Sequence, residues 1–138
     1  MREVGNRFPS EGVELTHILV VADLGRAKSF YRDVLGATVV REYGGTSCVL
    51  RFGAAWLLLV TEGGPTEDKP GVAFVPPDDP RRVSHSMTIR VPDCRVAYEV
   101  LKSRGARFLT PPHDWGDEIR CFFRDHDGHL LEVSEAKG

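Results

Sequence analysis

An internal repeat constrains this chain more than any other feature. Val21-Ala22-Asp23 in the first half is echoed by Val91-Pro92-Asp93 in the second, and Gly36 by Gly105. Trp56-Leu57-Leu58-Leu59-Val60-Thr61-Glu62 lies over His129-Leu130-Leu131-Glu132-Val133-Ser134-Glu135, which sets Leu59 opposite Glu132. A repeat of this kind marks a duplicated supersecondary unit and fixes the architecture before any residue-level detail.

Each unit reads as strand, helix and three further strands. In the first, Val13–Val21 is rich in β-branched residues and is interrupted by His17. Asp23 then serves as N-cap, and Ala27, Phe30, Tyr31, Val34 and Leu35 recur at helical spacing until Gly36 stops the run. Strands follow at about Ala37–Arg41, Thr46–Phe52 and Ala55–Thr61, with Gly44-Gly45 and Gly53-Ala54 as turns. In the second unit Ser84–Val91 is a strand, and Asp93 caps a helix whose stripe is Val96, Ala97, Val100 and Leu101 before Gly105. Arg107–Leu109, Glu118–Arg124 and His129–Ser134 are its remaining strands, and residues 111–116 form a loop.

The connection Glu62–Arg82 is different in kind. Its Gly63-Gly64-Pro65, Lys69-Pro70-Gly71, Pro76-Pro77 and Asp79-Pro80 read as a crossover linker, with a short edge piece at Val72–Val75. Linkers this long between compact halves are often functional. The expected organisation is an arm over residues 1–12 and a single domain over 13–135. Within that domain lie module one at 13–62, a linker at 63–82 and module two at 83–135. With 138 residues, 41% of them hydrophobic, the chain can bury a core without covalent staples. A net charge of −2 and scattered basic residues give no nucleic-acid footprint. Cys48, Cys94 and Cys121 are odd in number and widely spaced, which argues against a disulfide framework or a thiolate zinc site and for plain buried thiols in a reducing, cytoplasmic setting. The start of the chain lacks the apolar core of a signal peptide, and the longest apolar run, Ala54–Val60, is too short to span a membrane.

One residue resists the apolar pattern. Glu132 sits in the middle of the last strand, behind the tight turn Asp125-His126-Asp127-Gly128. A carboxylate there must be neutralised, paired or metal-bound. His17 and His85, both on first strands, are candidates to answer it, and so are the arginines Arg120 and Arg90. By alternation His17 shares a face with Leu19 and Val21, His85 with Met87, Ile89 and Val91, and Glu132 with Leu130. His126 and His129 are expected to face solvent, and His113 to stand at a loop rim. Trp115, Arg120, Phe122 and Tyr43 are candidate lining residues.

The run Thr16-His17-Ile18-Leu19-Val20-Val21-Ala22-Asp23-Leu24, then Ser29-Phe30-Tyr31-Arg32-Asp33-Val34-Leu35-Gly36, and the tail from Phe123 to Glu132 together resemble the vicinal oxygen chelate superfamily. That superfamily groups glyoxalase I, bleomycin-resistance proteins, fosfomycin-resistance enzymes and extradiol dioxygenases. The resemblance implies an α+β fold: two βαβββ modules whose eight strands form a cupped sheet around one divalent metal (iron, manganese, zinc or nickel). Carried over, the metal ligands are His17, His85 and Glu132, with Glu132 the catalytic carboxylate. His85 departs from the pattern, because His17 lies six places before Asp23 whereas Met87 stands six places before Asp93. Two imidazoles and a carboxylate with open positions suit a substrate that chelates through adjacent oxygens. Leu59, opposite Glu132, limits the set to three protein ligands. The resemblance thus implies a lyase, isomerase or ring-cleaving dioxygenase acting on a small oxygenated metabolite, in a homodimer that covers the sheet edges. The alternative is a metal-free, drug- or metabolite-binding protein of the bleomycin-resistance kind.

Overall fold

The computed structural model describes residues 7–137; the first half of the expected arm, residues 1–6, lies outside them, and residues 7–12 are exposed. The first module is β1 (Thr16–Val21), α1 (Leu24–Ser29), β2 (Thr38–Tyr43), β3 (Ser47–Phe52) and β4 (Ala55–Thr61). The second is β5 (Ser86–Arg90), α2 (Cys94–Ser103), β6 (Arg107–Phe108), β7 (His113–Asp114), β8 (Glu118–Arg124) and β9 (Leu130–Ala136). Two mixed sheets result, ordered β1-β4-β3-β2 and β5-β9-β8-β6, with β7 also paired to β8. In each, the first strand runs parallel to the last, which is the signature of a duplicated βαβββ unit.

The elements differ from expectation in instructive places. Both helices start where anticipated: Asp23 accepts from the Arg26 N–H and Asp93 from the Val96 N–H. The first helix, however, is regular only to Ser29; Phe30–Val34 forms a widened turn in which the Leu35 N–H reaches the Phe30 carbonyl. That widening swings Phe30 and Tyr31 into the core, where both are buried. The two first strands are shorter than the apolar runs suggest, since Val13 and Leu15 lie exposed ahead of β1. The loop at 111–116 contains β7, pinned by the Trp115 N–H on the Glu118 carbonyl at 2.8 Å, so the strands number nine in two sheets rather than eight in one. In the linker Phe74, within the expected edge piece, forms an isolated bridge to Gly63, and Thr66 forms another to Lys69.

The helices pack on β3 and β4 in module one and on β8 and β9 in module two. Alternation therefore gives each sheet a buried, helix-covered face and an open one. Leu19, Val21, Leu57, Leu59, Cys48 and Leu50 fill the covered face of the first, and Ile119, Cys121, Phe123, Leu131 and Val133 that of the second. These residues form one continuous core. Cys94 and Cys121 stand 3.9 Å apart within it; burial first, and then each other's proximity, pushes the Cys121 thiol up to about 12.

Strand register corrects the repeat alignment by one residue. Leu19 pairs with Leu59 and Ile89 with Val133, while Thr88 pairs with Glu132. With Asp23 and Asp93 superposed, the counterpart of Glu132 is Leu58 on the open face, not Leu59, which is fully buried.

The turn before β9 joins the modules. Buried Asp125 accepts from the Tyr31 hydroxyl at 2.7 Å and from the N–H groups of Asp127 and His129. Asp127 accepts from the Ala22 N–H at 2.8 Å, and the His129 ring bonds the Val20 carbonyl at 2.8 Å. His129 is thus a half-buried clasp on the edge of β1, not a solvent-facing residue as its turn position suggests. The linker is tied to the same turn, because Arg124 donates to the Pro80 carbonyl. Among the described residues no helix is long and apolar enough to cross a membrane.

Candidate functional site

Glu132 lies on the open face of the second sheet, paired in register with Thr88 on β5 and Phe122 on β8. The Thr88 hydroxyl donates to its Oε1 at 2.6 Å, and the Arg120 Nε stands 3.8 Å from its Oε2. Of the two arginines suggested by the sequence, Arg120 is the one in ion-pair reach. Its guanidinium also contacts Glu118 at 3.3 Å and lies over the rings of Trp115 and Phe122 at 5.4 and 5.9 Å. The Ser134 hydroxyl donates to the other Glu118 oxygen. That bond first, and then the charges of Arg120 and Arg90, hold Glu118 below its usual range. Three of the four expected lining residues therefore gather around Glu132. Tyr43, at the far end of β2, is half exposed beside Arg41.

The histidines gather elsewhere. His17 and His85 stack with ring centroids 4.3 Å apart and planes 22° from parallel. They line a cleft of about 510 Å³ with His129, Arg82 and linker residues Val75 to Asp78. Burial first, then the neighbouring His85 and His129, lowers the His17 pKa and favours its neutral ring. Because His17 pairs with buried Leu57, it lies on the helix-covered side of its sheet, whereas Glu132 points to the open side of the other. The structure thus brings two of the three expected ligands together and sets the third apart. His126 is exposed, edge-on to Phe30 at 5.4 Å, and His113 lies tilted against Trp115, 4.2 Å between ring centroids, at the rim.

Thr88 was not legible as a functional residue. Its signal is the pairing register, which opposes it to Glu132 and which no local pattern reports. The clasp of Tyr31, Asp125, Asp127 and His129 was hidden for the same reason, since its partners lie far apart in sequence.

Residues 14–133 match the profile of the Glyoxalase/Bleomycin resistance protein/Dioxygenase superfamily. The chain belongs to this superfamily. It is 30% identical over 115 residues to metallothiol transferase FosB of Staphylococcus epidermidis, covering 82% of this chain and 76% of that one. Two solved structures share the superfamily fold. Lactoylglutathione lyase from Agrobacterium tumefaciens has a TM-score of 0.65 and 23% identity, covering 92% of this chain and 95% of that one. The fosfomycin resistance protein FosX of Listeria monocytogenes, complexed with Mn(II) and 1S,2S-dihydroxypropylphosphonic acid, has a TM-score of 0.63 and 17% identity, covering 90% and 89%. The superfamily thus includes metal-dependent enzymes that act on small molecules.

The donor set of this member does not fit a three-ligand metal as placed. Among the described residues no group of three or more His, Cys, Asp or Glu side chains is arranged to hold an ion. Glu132 already accepts from Thr88 and faces a guanidinium, and the open-face residues of β1 and β5 are Thr16, Ile18, Val20, Ser86, Thr88 and Arg90. A hydroxyl, an alkyl chain or a guanidinium is a poor substitute for an imidazole ligand.

Proposed function

We propose that this superfamily member binds a small, oxygen-rich organic molecule on the open face of its second module without a protein-held metal. The observation that carries the reading is the separation by sheet alternation of Glu132 from His17, on which His85 stacks just ahead of β5. On that face Arg120 carries more donors than its contacts with Glu132 and Glu118 use, so it can grip a carboxylate or phosphonate oxygen. Glu132, oriented by Thr88, can accept from a ligand hydroxyl. Trp115 and Phe122 supply an apolar wall.

The cup is completed by a second copy of the chain. The open face of module one carries Ile18, Val20, Val49, Leu58 and Val60, all partly accessible. An apolar sheet face of this kind gains by covering the polar face of another chain's second module. Three free thiols fit a cytoplasmic location.

A second reading keeps the metal-dependent lyase, isomerase or dioxygenase, with His17, His85 and Glu132 as ligands. The stacked histidine pair and the likeness to FosB support it. Thermal-shift titration with fosfomycin and with catechol, in EDTA and then in Mn(II), separates the two. Stabilisation that survives EDTA and disappears in Arg120→Gln and Glu132→Gln supports the binding protein. Stabilisation that requires Mn(II) and disappears in His17→Ala supports the metalloenzyme.

A further inference from the structure

Positive charge stands at two separate places along β8. Glu118, Arg120, Phe122 and Arg124 alternate with the buried Ile119, Cys121 and Phe123, so all four lie on the open face. Pairing register adds two neighbours on that face, Glu132 opposite Phe122 and Arg107 opposite Arg124. The negative charge is gathered at one end, where Arg120 meets Glu118 at 3.3 Å and Glu132 at 3.8 Å. The other end has none. Among the described residues neither Arg107 nor Arg124 is in ion-pair reach of a carboxylate. Asp125, next along the chain, is buried and already accepts from the Tyr31 hydroxyl and from the N–H groups of Asp127 and His129.

Like charges directly opposite on adjacent strands are destabilising, and their Cβ atoms stand only about 5 Å apart. Two guanidinium groups so placed can close on one anion, which removes the repulsion. Arg124 also donates to the Pro80 carbonyl of the linker, which holds its guanidinium and leaves most of its donors free. Four residues of strand separate Arg124 from Arg120, a span of about 13 Å. Phe122 lies between them, with the Arg120 guanidinium 5.9 Å from its ring centroid.

We propose that the ligand of this face is an elongated dianion. One anionic group meets Arg120, the other is shared by Arg107 and Arg124, and the apolar body between them lies over Phe122. This rests on the open-face reading above and names the ligand class. A single anion would leave the arginine pair uncompensated. Two adjacent anionic groups would reach only one end of the face.

The test is calorimetric titration of the full chain with biphenyl-4,4′-dicarboxylate, with its 2,2′ isomer and with biphenyl-4-carboxylate at one ionic strength. The isomers carry the same charge and differ in the separation of their carboxylates. The 4,4′ compound is expected to bind at least about tenfold more tightly than the other two. Arg107→Gln and Arg124→Gln are each expected to weaken it at least about fivefold and to change the monocarboxylate by less than about twofold. Arg107 is exposed, so its variant keeps the fold even if the tie of Arg124 to the linker proves structural. Equal binding of the 4,4′ compound and the monocarboxylate, both lost in Arg120→Gln, would overturn the proposal and leave the open-face reading standing. Equal binding of the two isomers, or a 4,4′ preference that survives in Arg107→Gln and Arg124→Gln, would also overturn it. No binding of any of the three at about 1 mM would overturn both readings together.

Discussion

The two modules share one backbone plan and differ in what their open faces present. Module one shows Ile18, Val20, Val49, Leu58 and Val60; the equivalent places in module two hold Thr88, Arg90, Phe122, Glu132 and Ser134, with Arg120 and Glu118 further along β8. The contrast is sharpest at Leu58 and Glu132, which occupy equivalent places on the strand parallel to the first. Duplication has supplied two scaffolds, and charge has been concentrated on one of them. The polar face offers specificity, while the apolar face offers the covering surface that would strengthen electrostatic contacts by excluding water.

The largest expected effect probes the register behind this contrast. Leu59→Glu puts an unpaired charge on the covered face and is expected to cost at least about 3 kcal/mol in urea unfolding, whereas Leu58→Glu on the open face costs about 1 kcal/mol or less. Equal losses would mean that the faces have been misassigned. Next in size is Tyr31→Phe, which removes a buried donor from Asp125 and is expected to cost about 1–3 kcal/mol. Its pH dependence has a definite sign. Burial first, then Asp125, raises the Tyr31 pKa well above its ordinary 10.0, so the native state keeps a proton that the unfolded chain gives up. Stability from this group is full below pH 10 and declines as the pH rises beyond it. Tyr31→Phe should lose that alkaline slope, and a pH series of melting temperatures would show whether it does.

A smaller effect contrasts the turns that open the last strand of each module. Gly53 and Gly128 both have positive φ, 58° and 95°, so alanine at either costs about 1–2 kcal/mol. A Cβ at Gly53 meets nothing, but at Gly128 it stands 3.1 Å from the Pro80 Cβ of the linker. Gly128→Ala should therefore be the worse of the two by up to about 1 kcal/mol in chemical unfolding. Equal costs would show that the linker does not press on the clasp.

Much of this architecture was legible before any coordinates. Asp23, Asp93, Gly36 and Gly105 bound their helices through local chemistry that every such terminus needs, and β3, β4 and β8 follow runs of strand-forming residues. The one-residue error in the repeat has a physical cause: Trp56-Leu57-Leu58-Leu59-Val60 is apolar throughout and carries no alternation, so pattern alone cannot say which leucine faces the helices. The same limit applies to the site. His17 and Glu132 each look like ligands along their own strands, and only the pairing of β1 with β4 and of β5 with β9 shows that they point to different faces. Thr88 and His129 were hidden because hydroxyls and imidazoles take their roles from partners brought near by folding.

The most direct test of this account is bound metal per chain. Untagged protein would be loaded in turn with Fe(II), Mn(II), Zn(II) and Ni(II), desalted and analysed by mass spectrometry beside His17→Ala and Glu132→Gln. The account predicts no ion retained in near-equal ratio to the chain, and no difference between wild type and Glu132→Gln. One tightly held ion per chain, lost in both variants, would contradict it and restore His17, His85 and Glu132 as one site.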